Sequence, residues 1–270
     1  MPELPEVETV RNTLKPLLVG HTIKSVNVIY DNIIEYPGVK EFKETLINKT
    51  IKDIKRRGKW LIFVLGEYSL LSHLRMEGRY YIKDVNDPLT KHTHVVFNFK
   101  DFSLRYIDTR KFGKMHLLKT NDLYLTKPLN SLGKEPWDVT LDYLKDKLKN
   151  KKIAIKTILL DQSIIAGIGN IYVDEILFLS KIHPETKPDK LDDNDLKNII
   201  KYTKDVMDKA IREGGTTIKS YEASEGVHGL FQNLLLVHTK DMCPICKNKI
   251  TKIKVGGRGT YLCNKCQKKK

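Results

Sequence analysis

In "PEVETVRNTLKPLL" the apolar residues Val7, Val10, Leu14 and Leu17 recur at three- and four-residue steps. This spacing predicts one amphipathic helix that starts near Pro5 and is limited by Pro16. From "HTIKSVNVIY" through "KWLIFVL", "YSLLSHL", "RYYIKD", "THVVFNF" and "SLRYIDT", short β-branched and aromatic runs alternate with Gly, Asn or Asp, as in a largely antiparallel β-domain. After "NSLGKEPWD" the period changes. "VTLDYLKDKLKN", "KKIAIKTILLDQS", "IGNIYVDEILFLS" and "DDNDLKNIIKYTKDVMDKAIREGG" have mostly helical spacing, with Asp and Asn able to cap and glycines able to stop them. The expected organisation is a β-domain over 1–130, a linker over 131–138, a helical domain over 139–237 and a terminal segment over 238–270.

A chain of 270 residues with 40% hydrophobic content is long enough for two or three folded units. Its longest apolar runs, "WLIFVL" and "NLLLV", are far too short to span a bilayer, and the N-terminus lacks a basic-then-apolar signal segment. The expectation is a soluble cytoplasmic protein with no membrane partner. A net charge of +15 favours a polyanionic partner. That charge is uneven: residues 238–270 hold ten Lys or Arg against one acid, Asp241, so the segment supplies +9.

The same segment holds all four cysteines. Cys243 and Cys246 in "CPIC" and Cys263 and Cys266 in "CNKC" form two C-x2-C pairs separated by sixteen residues. Two close thiolate pairs brought together by a hairpin supply the four soft ligands of a structural zinc site. The alternative, two disulfides, is disfavoured without a secretion signal. A metal held by four protein ligands does no chemistry on substrate. Between the pairs, "VGGRGTY" allows a tight turn with Arg258 near its tip, placed either as a solvated charge or as a contact to a nucleic-acid backbone.

Two further stretches carry alternatives. In "GIGN", Gly167 and Gly169 permit a close turn between helices and Asn170 can cap the second helix while meeting a phosphate; the turn also reads as purely structural. In "MPELPE", Pro and acids suit a helix start. Removal of Met1 would equally expose a secondary α-amine.

Taken in order, "PELPEVETVR", "RRGKWL", "SHLRMEGRY", "TRKFG", "GIGNIYVDE", "EGGTT" and the four-cysteine finger resemble the formamidopyrimidine-DNA glycosylase family over essentially the whole chain. "PELPE" and "TRKFG" look like its oxidised-purine branch; the related endonuclease VIII branch, which acts on oxidised pyrimidines, usually begins "PEGPE". A catalytically silent DNA-binding protein of the same fold is the remaining alternative. The resemblance implies an α+β, multidomain fold: an N-terminal antiparallel β-sandwich with flanking helices, a helix-two-turn-helix domain and a four-cysteine zinc finger, with DNA in a basic cleft.

It also implies a monomeric, bacterial base-excision enzyme that removes 8-oxoguanine opposite cytosine and formamidopyrimidines from damaged double-stranded DNA. Such an enzyme then cuts the abasic strand by β,δ-elimination, with one structural Zn2+ and no catalytic metal or organic cofactor. Pro2 matches the nucleophile, Glu3 the catalytic acid and Lys59 the essential lysine. His92, Arg110, Lys156, Asn170 and Arg258 match DNA contacts. Met76, Arg110 and Phe112 match the residues that fill the space left by an everted base, although pattern alone reads Met76 and Phe112 as core. Glu77, Thr216, Thr217, Ile218, Lys219, Ser220 and Tyr221 match lesion contacts, with Gly214 and Gly215 as the hinge of a closing loop. One departure is visible: His238-Thr239 stands where members commonly carry Tyr-Gly, which bears on hairpin packing or a DNA contact and not on the chemistry.

Overall fold

The computed structural model describes residues 2–216 and 229–270. They divide into two compact units. Residues up to Asn130, with Gly214–Thr216 and Gly229, form the first; Ser131–Glu213 and Leu230–Lys270 form the second. No helix among the described residues is long and apolar enough to cross a membrane.

The first unit opens with α1 (Leu4–Leu18), then β1 (Ser25–Val28), β2 (Ile34–Tyr36), α2 (Val39–Leu46), β3 (Asp53–Arg57), β4 (Trp60–Val64), β5 (Tyr68–His73), β6 (Arg79–Asp84), β7 (Thr93–Asn98), β8 (Phe102–Ile107) and β9 (Lys114–Lys119). The strands form one sheet of order β1-β7-β8-β6 and another of order β2-β9-β5-β4-β3. All pairings are antiparallel except β2 with β9. Alternate residues from both sheets, among them Leu61, Phe63, Leu70 and Met115 from one and Val26, Phe97, Leu104 and Tyr106 from the other, meet in a single buried core. This is the period-2 pattern of a sandwich.

Helix α1 packs on β3 and β4 through Leu4, Val7, Val10, Leu14 and Leu18, all essentially inaccessible. Two details differ from the sequence reading. Leu17 is 42% exposed while Leu18 takes the buried position. Pro16 lies inside the helix, because the turn that it disrupts is already the last one.

The second unit contains α3 (Leu141–Leu148), α4 (Ile155–Leu159), α5 (Asn170–Leu179), α6 (Asp193–Arg212), β10 (Thr251–Val255) and β11 (Arg258–Leu262). Helix α5 is buried from Tyr172 through Phe178 and packs against α4, α6 and β11. Helix α6 starts from an Asp192–Asp195 capping box and buries Leu196, Ile199, Val206, Met207 and Ala210 at helical spacing. The stretch 131–138, expected as a linker, is firmly packed. A Cβ on Gly133 would lie 2.3 Å from the Ile164 carbonyl oxygen, and the Trp137 indole N–H donates to Asp208 at 2.7 Å.

Candidate active site and nucleic-acid interface

The amino-terminal peptide is held from several directions. Glu3 is the N-cap of α1 and Glu6 its N3 residue, and together they form a capping box. Glu6 Oε2 accepts the Glu3 backbone N–H at 2.8 Å. Pro2, Glu3 and Glu6 are all buried. Two residues further on, the Glu8 carboxylate accepts from Arg11 and from Arg56 Nε, the latter at 2.8 Å. Burial alone would raise the Glu8 pKa, but hydrogen bonds and charge from Arg11 and Arg56 outweigh it and hold the carboxyl below its usual range.

Arg56 also donates to the Gly58 carbonyl at 3.0 Å, and Gly58 with Lys59 makes the two-residue turn between β3 and β4. Gly58 sits at φ 56, the left-handed conformation that such a turn needs. One network therefore runs from the start of α1 to the turn that carries Lys59, which is 7% exposed. Beside it, the His73 ring lies edge-on to Trp60 at 4.8 Å, and His73 Nδ1 accepts the Arg75 N–H at 2.9 Å. Burial first, then the charges of Arg75 and Lys59, press the His73 pKa down to about 3. With Nδ1 accepting, the proton of the neutral ring sits on Nε2.

The structure brings Met76, Arg110 and Phe112 to the walls of one cavity of about 810 Å³, together with Tyr30, Arg75 and Lys114. Phe112 is 49% exposed and Met76 half-buried, so neither is the core residue that pattern alone suggested. The Arg110 guanidinium lies 4.7 Å over the Phe112 ring. The fully buried Asp108 organises the segment that presents them. Its Oδ1 accepts the Arg110 N–H at 3.0 Å, and its Oδ2 accepts those of Phe112 and Gly113 at 2.9 Å each. Gly113 admits no side chain, because a Cβ would fall 1.7 Å from the Tyr106 hydroxyl. Glu77 accepts from the Thr109 hydroxyl, and the half-buried His92 accepts the Asp108 N–H through its carbonyl at 3.0 Å.

In the second unit the hairpin β10-β11 turns at Gly256 and Gly257, both at positive φ, and Arg258 follows exposed. Strand β11 is anchored close to this turn. The Lys156 ammonium is fully buried, pairs with Asp174 Oδ1 at 2.7 Å and donates to Thr260 Oγ1 at 2.7 Å. The expectation that Lys156 contacts DNA directly is therefore corrected: its charge is neutralised inside the protein and its donors support the hairpin. Asn170 Nδ2 donates to the Gly259 carbonyl at 2.9 Å. It is the first residue of α5 while Gly169 is the N-cap, so Asn170 does not cap the helix as expected.

His238 Nδ1 lies 2.8 Å from Asp174 Oδ2, and its ring meets Tyr261 edge-on at 4.9 Å. Glu175 accepts the backbone N–H groups of Leu236, Val237 and His238. Burial raises its pKa, and those three donors oppose the rise. The residue after His238, Thr239, adopts φ 61, where a β-branched residue is strained and glycine is not.

The four cysteine sulfurs lie within 4.8 Å of one another, with Cys243 and Cys266 at 3.8 Å and Cys246 and Cys263 at 3.4 Å. Bonds of about 2.3 Å from a tetrahedral zinc put sulfurs about 3.8 Å apart, whereas a disulfide needs about 2.05 Å. The set fits one zinc ion, with all four ligands supplied by protein. Around it Val237, Phe178 and Ile250 form only a small apolar cluster, and Gln267 accepts the Cys263 N–H at 2.9 Å.

Sequence reading missed Glu6, Glu8, Arg56, Asp108 and Asp174. The available signals were an acid at the N3 position for Glu6 and an Asp opening the turn "DTRKFG" for Asp108. Thr216 is buried and donates to Glu6, whereas Thr217, Ile218, Lys219, Ser220 and Tyr221 lie outside the described residues.

Comparison with known proteins gives the class first: DNA glycosylases built from an N-terminal β-domain, a helix-two-turn-helix domain and a zinc finger. Family models match as the formamidopyrimidine-DNA glycosylase N-terminal domain over 1–115, its H2TH domain over 132–222, and the zinc finger found in FPG and IleRS over 241–269. The chain belongs to the formamidopyrimidine-DNA glycosylase family. It is 48% identical to the formamidopyrimidine-DNA glycosylase of Oceanobacillus iheyensis, covering 100% of this chain and 99% of that one, and 49% identical to that of Bacillus subtilis, covering 100% of both. Lactococcus lactis Fpg, solved with DNA containing N7-benzyl-Fapy-dG and with DNA containing an abasic site, matches at a TM-score of 0.94 and 41% identity over 99% of this chain and 100% of that chain.

Proposed function

We propose that this protein excises 8-oxoguanine opposite cytosine, and formamidopyrimidines, from duplex DNA and then cleaves the abasic strand, with Pro2 as nucleophile and Glu3 as acid. The carrying observation is the buried Pro2–Glu3 peptide at the start of α1, tied through Glu8 and Arg56 to the Lys59 turn. Lactococcus lactis Fpg, solved with DNA containing N7-benzyl-Fapy-dG and with DNA containing an abasic site, supports both the substrate class and the second step.

Once Met1 is removed, the Pro2 nitrogen is a secondary α-amine. Such amines titrate at about 7.7 to 8.0, against about 10.4 for lysine, so a useful fraction is neutral near pH 7. The helix N-terminus favours the neutral form further, as does Lys59 where the family match places it beside the amine. The amine lone pair attacks sugar C1′ as the bond from C1′ to the base breaks, and the proton shed by the amine nitrogen goes to the departing base. Protonated Glu3 delivers its proton to the ring oxygen as the sugar opens, leaving an iminium between Pro2 and C1′. The iminium acidifies the C2′ proton, and successive eliminations release the 3′ and then the 5′ phosphate. Met76, Arg110 and Phe112 fill the vacated stack, and Arg110 donates to the opposite cytosine. Asn170 and Arg258 hold backbone phosphates. The zinc, bound by Cys243, Cys246, Cys263 and Cys266, fixes the finger fold that carries the Arg258 hairpin.

Borohydride trapping tests this reading. Duplexes carrying 8-oxoguanine, a formamidopyrimidine or an oxidised pyrimidine are incubated with protein and reductant, and the adduct is mapped by mass spectrometry. The expected adduct is on residue 2, formed with the purine lesions. Preferential trapping on the oxidised pyrimidine, or an adduct on Lys59, overturns the assignment.

A further inference from the structure

Glu6 joins two segments that are 210 residues apart in sequence. Its Oε2 accepts the backbone N–H of Glu3 at 2.8 Å, while Oε1 accepts the Thr216 N–H at 2.8 Å and the Thr216 hydroxyl at 3.0 Å. The junction is shut off from water: Glu6 is 3% and Thr216 7% exposed. It is also tightly fitted. A Cβ on Gly215 would lie 2.7 Å from Glu6 Oε1, and one on Gly229 would lie 2.3 Å from the Gly215 carbonyl oxygen. Gly215, at φ +77, adopts a conformation that leaves space for the carboxylate on one side and for Gly229 on the other. Gly215 and Thr216, with Gly229 packed on Gly215, therefore sit beside the residue that holds the Glu3 amide.

A plain capping-box acid serves only the helix that it caps. Glu6 uses its second oxygen for a different part of the chain, and all three bonds require it to accept. A carboxylate can accept from both sides at once, whereas a carboxamide has one accepting end.

We propose that Glu6 is a positioning residue that sets the Pro2–Glu3 peptide in register with the Gly215–Thr216 turn, so that one carboxylate aligns the reacting groups and that turn together. The inference rests on the reading of Pro2 and Glu3 as the reacting pair. Misplacing a reacting group by about 1 Å costs on the order of a hundredfold in rate.

The test compares wild type, Glu6→Gln, Thr216→Val and the double variant, all as full chains. Single-turnover excision of an intact purine lesion, strand cleavage at a pre-formed abasic site, affinity for undamaged duplex and thermal stability are measured. Glu6→Gln is expected to slow both reactions roughly ten- to hundredfold at saturating protein, with affinity for undamaged duplex within about twofold of wild type. Thr216→Val, which removes one donor on the loop side, should slow lesion excision by a larger factor than abasic cleavage. The double variant should match Glu6→Gln within about twofold, since both changes act on one junction.

Rate losses that multiply in the double variant would mean that Thr216 acts separately, and would overturn the proposal. Equal losses on both substrates by Thr216→Val, in step with its thermal stability, would reduce the contact to a structural one and overturn it too. If Glu6→Gln does not fold, the unequal response of Thr216→Val to the two substrates decides alone. Wild-type borohydride trapping separates the layers: an adduct on residue 2 with unimpaired Glu6→Gln defeats only this inference, whereas an adduct elsewhere defeats the Pro2 reading beneath it.

Discussion

Asp108 holds Phe112 without touching its ring: Oδ2 of the buried carboxylate accepts the Phe112 backbone N–H at 2.9 Å, and the side chain is left 49% exposed. The same oxygen takes Gly113, and Oδ1 takes Arg110. One carboxylate thus shapes the loop that presents both the proposed wedge, Phe112, and the proposed reader of the opposite base, Arg110.

Asp108→Ala should leave those N–H groups without an acceptor, at about 1–3 kcal/mol for each that stays buried. The expected result is a lower melting temperature together with a larger loss of excision on an intact lesion than on a pre-formed abasic site, where less unstacking is required. Single-turnover assays on the two duplexes measure the difference; equal losses would count against the loop's role in eversion.

His73 should remain neutral through pH 5. Its native pKa, pressed to about 3, lies below the unfolded value of 6.5, so falling pH protonates the unfolded chain first. Its contribution to stability is complete above the unfolded value and declines as pH falls towards the native one. Between pH 7 and pH 5 this amounts to up to about 2 kcal/mol, and His73→Gln should flatten that part of the stability profile. Imidazole 15N shifts showing a midpoint near the ordinary histidine value would refute it.

Lys156→Met should destabilise the second unit by roughly 3–5 kcal/mol, because it strands the Asp174 carboxylate in a fully buried site. Asp174 would then be left with His238 and the Tyr261 N–H, so the hairpin should loosen. Faster zinc loss to a chelator, alongside a lower melting temperature, is the expected reading. A variant with unchanged stability would place Lys156 outside the support network.

Cys243→Ser should lose zinc and weaken binding even to undamaged duplex, since the finger has little apolar mass of its own. Arg258→Ala should keep its zinc and instead lose affinity with a shallower salt dependence, by about one phosphate contact. Elemental analysis and salt titrations separate the two outcomes.

What the chain determines by itself is local. The apolar spacing of α1, the alternation of the strands and the C-x2-C pairs each lie within a few residues, so period and ligand chemistry read them directly. An acid three residues after Glu3 likewise announces a capping box. Tertiary structure alone decided that Leu18 and not Leu17 faces the core, since both fit the helical stripe and only the position of β3 and β4 chooses. It decided that Lys156 serves the interior, because its partners Asp174 and Thr260 are 18 and 104 residues away. It also decided that Glu6 reaches Thr216 across 210 residues. Such bonds depend on where distant segments are packed, and no spacing in the sequence encodes that distance.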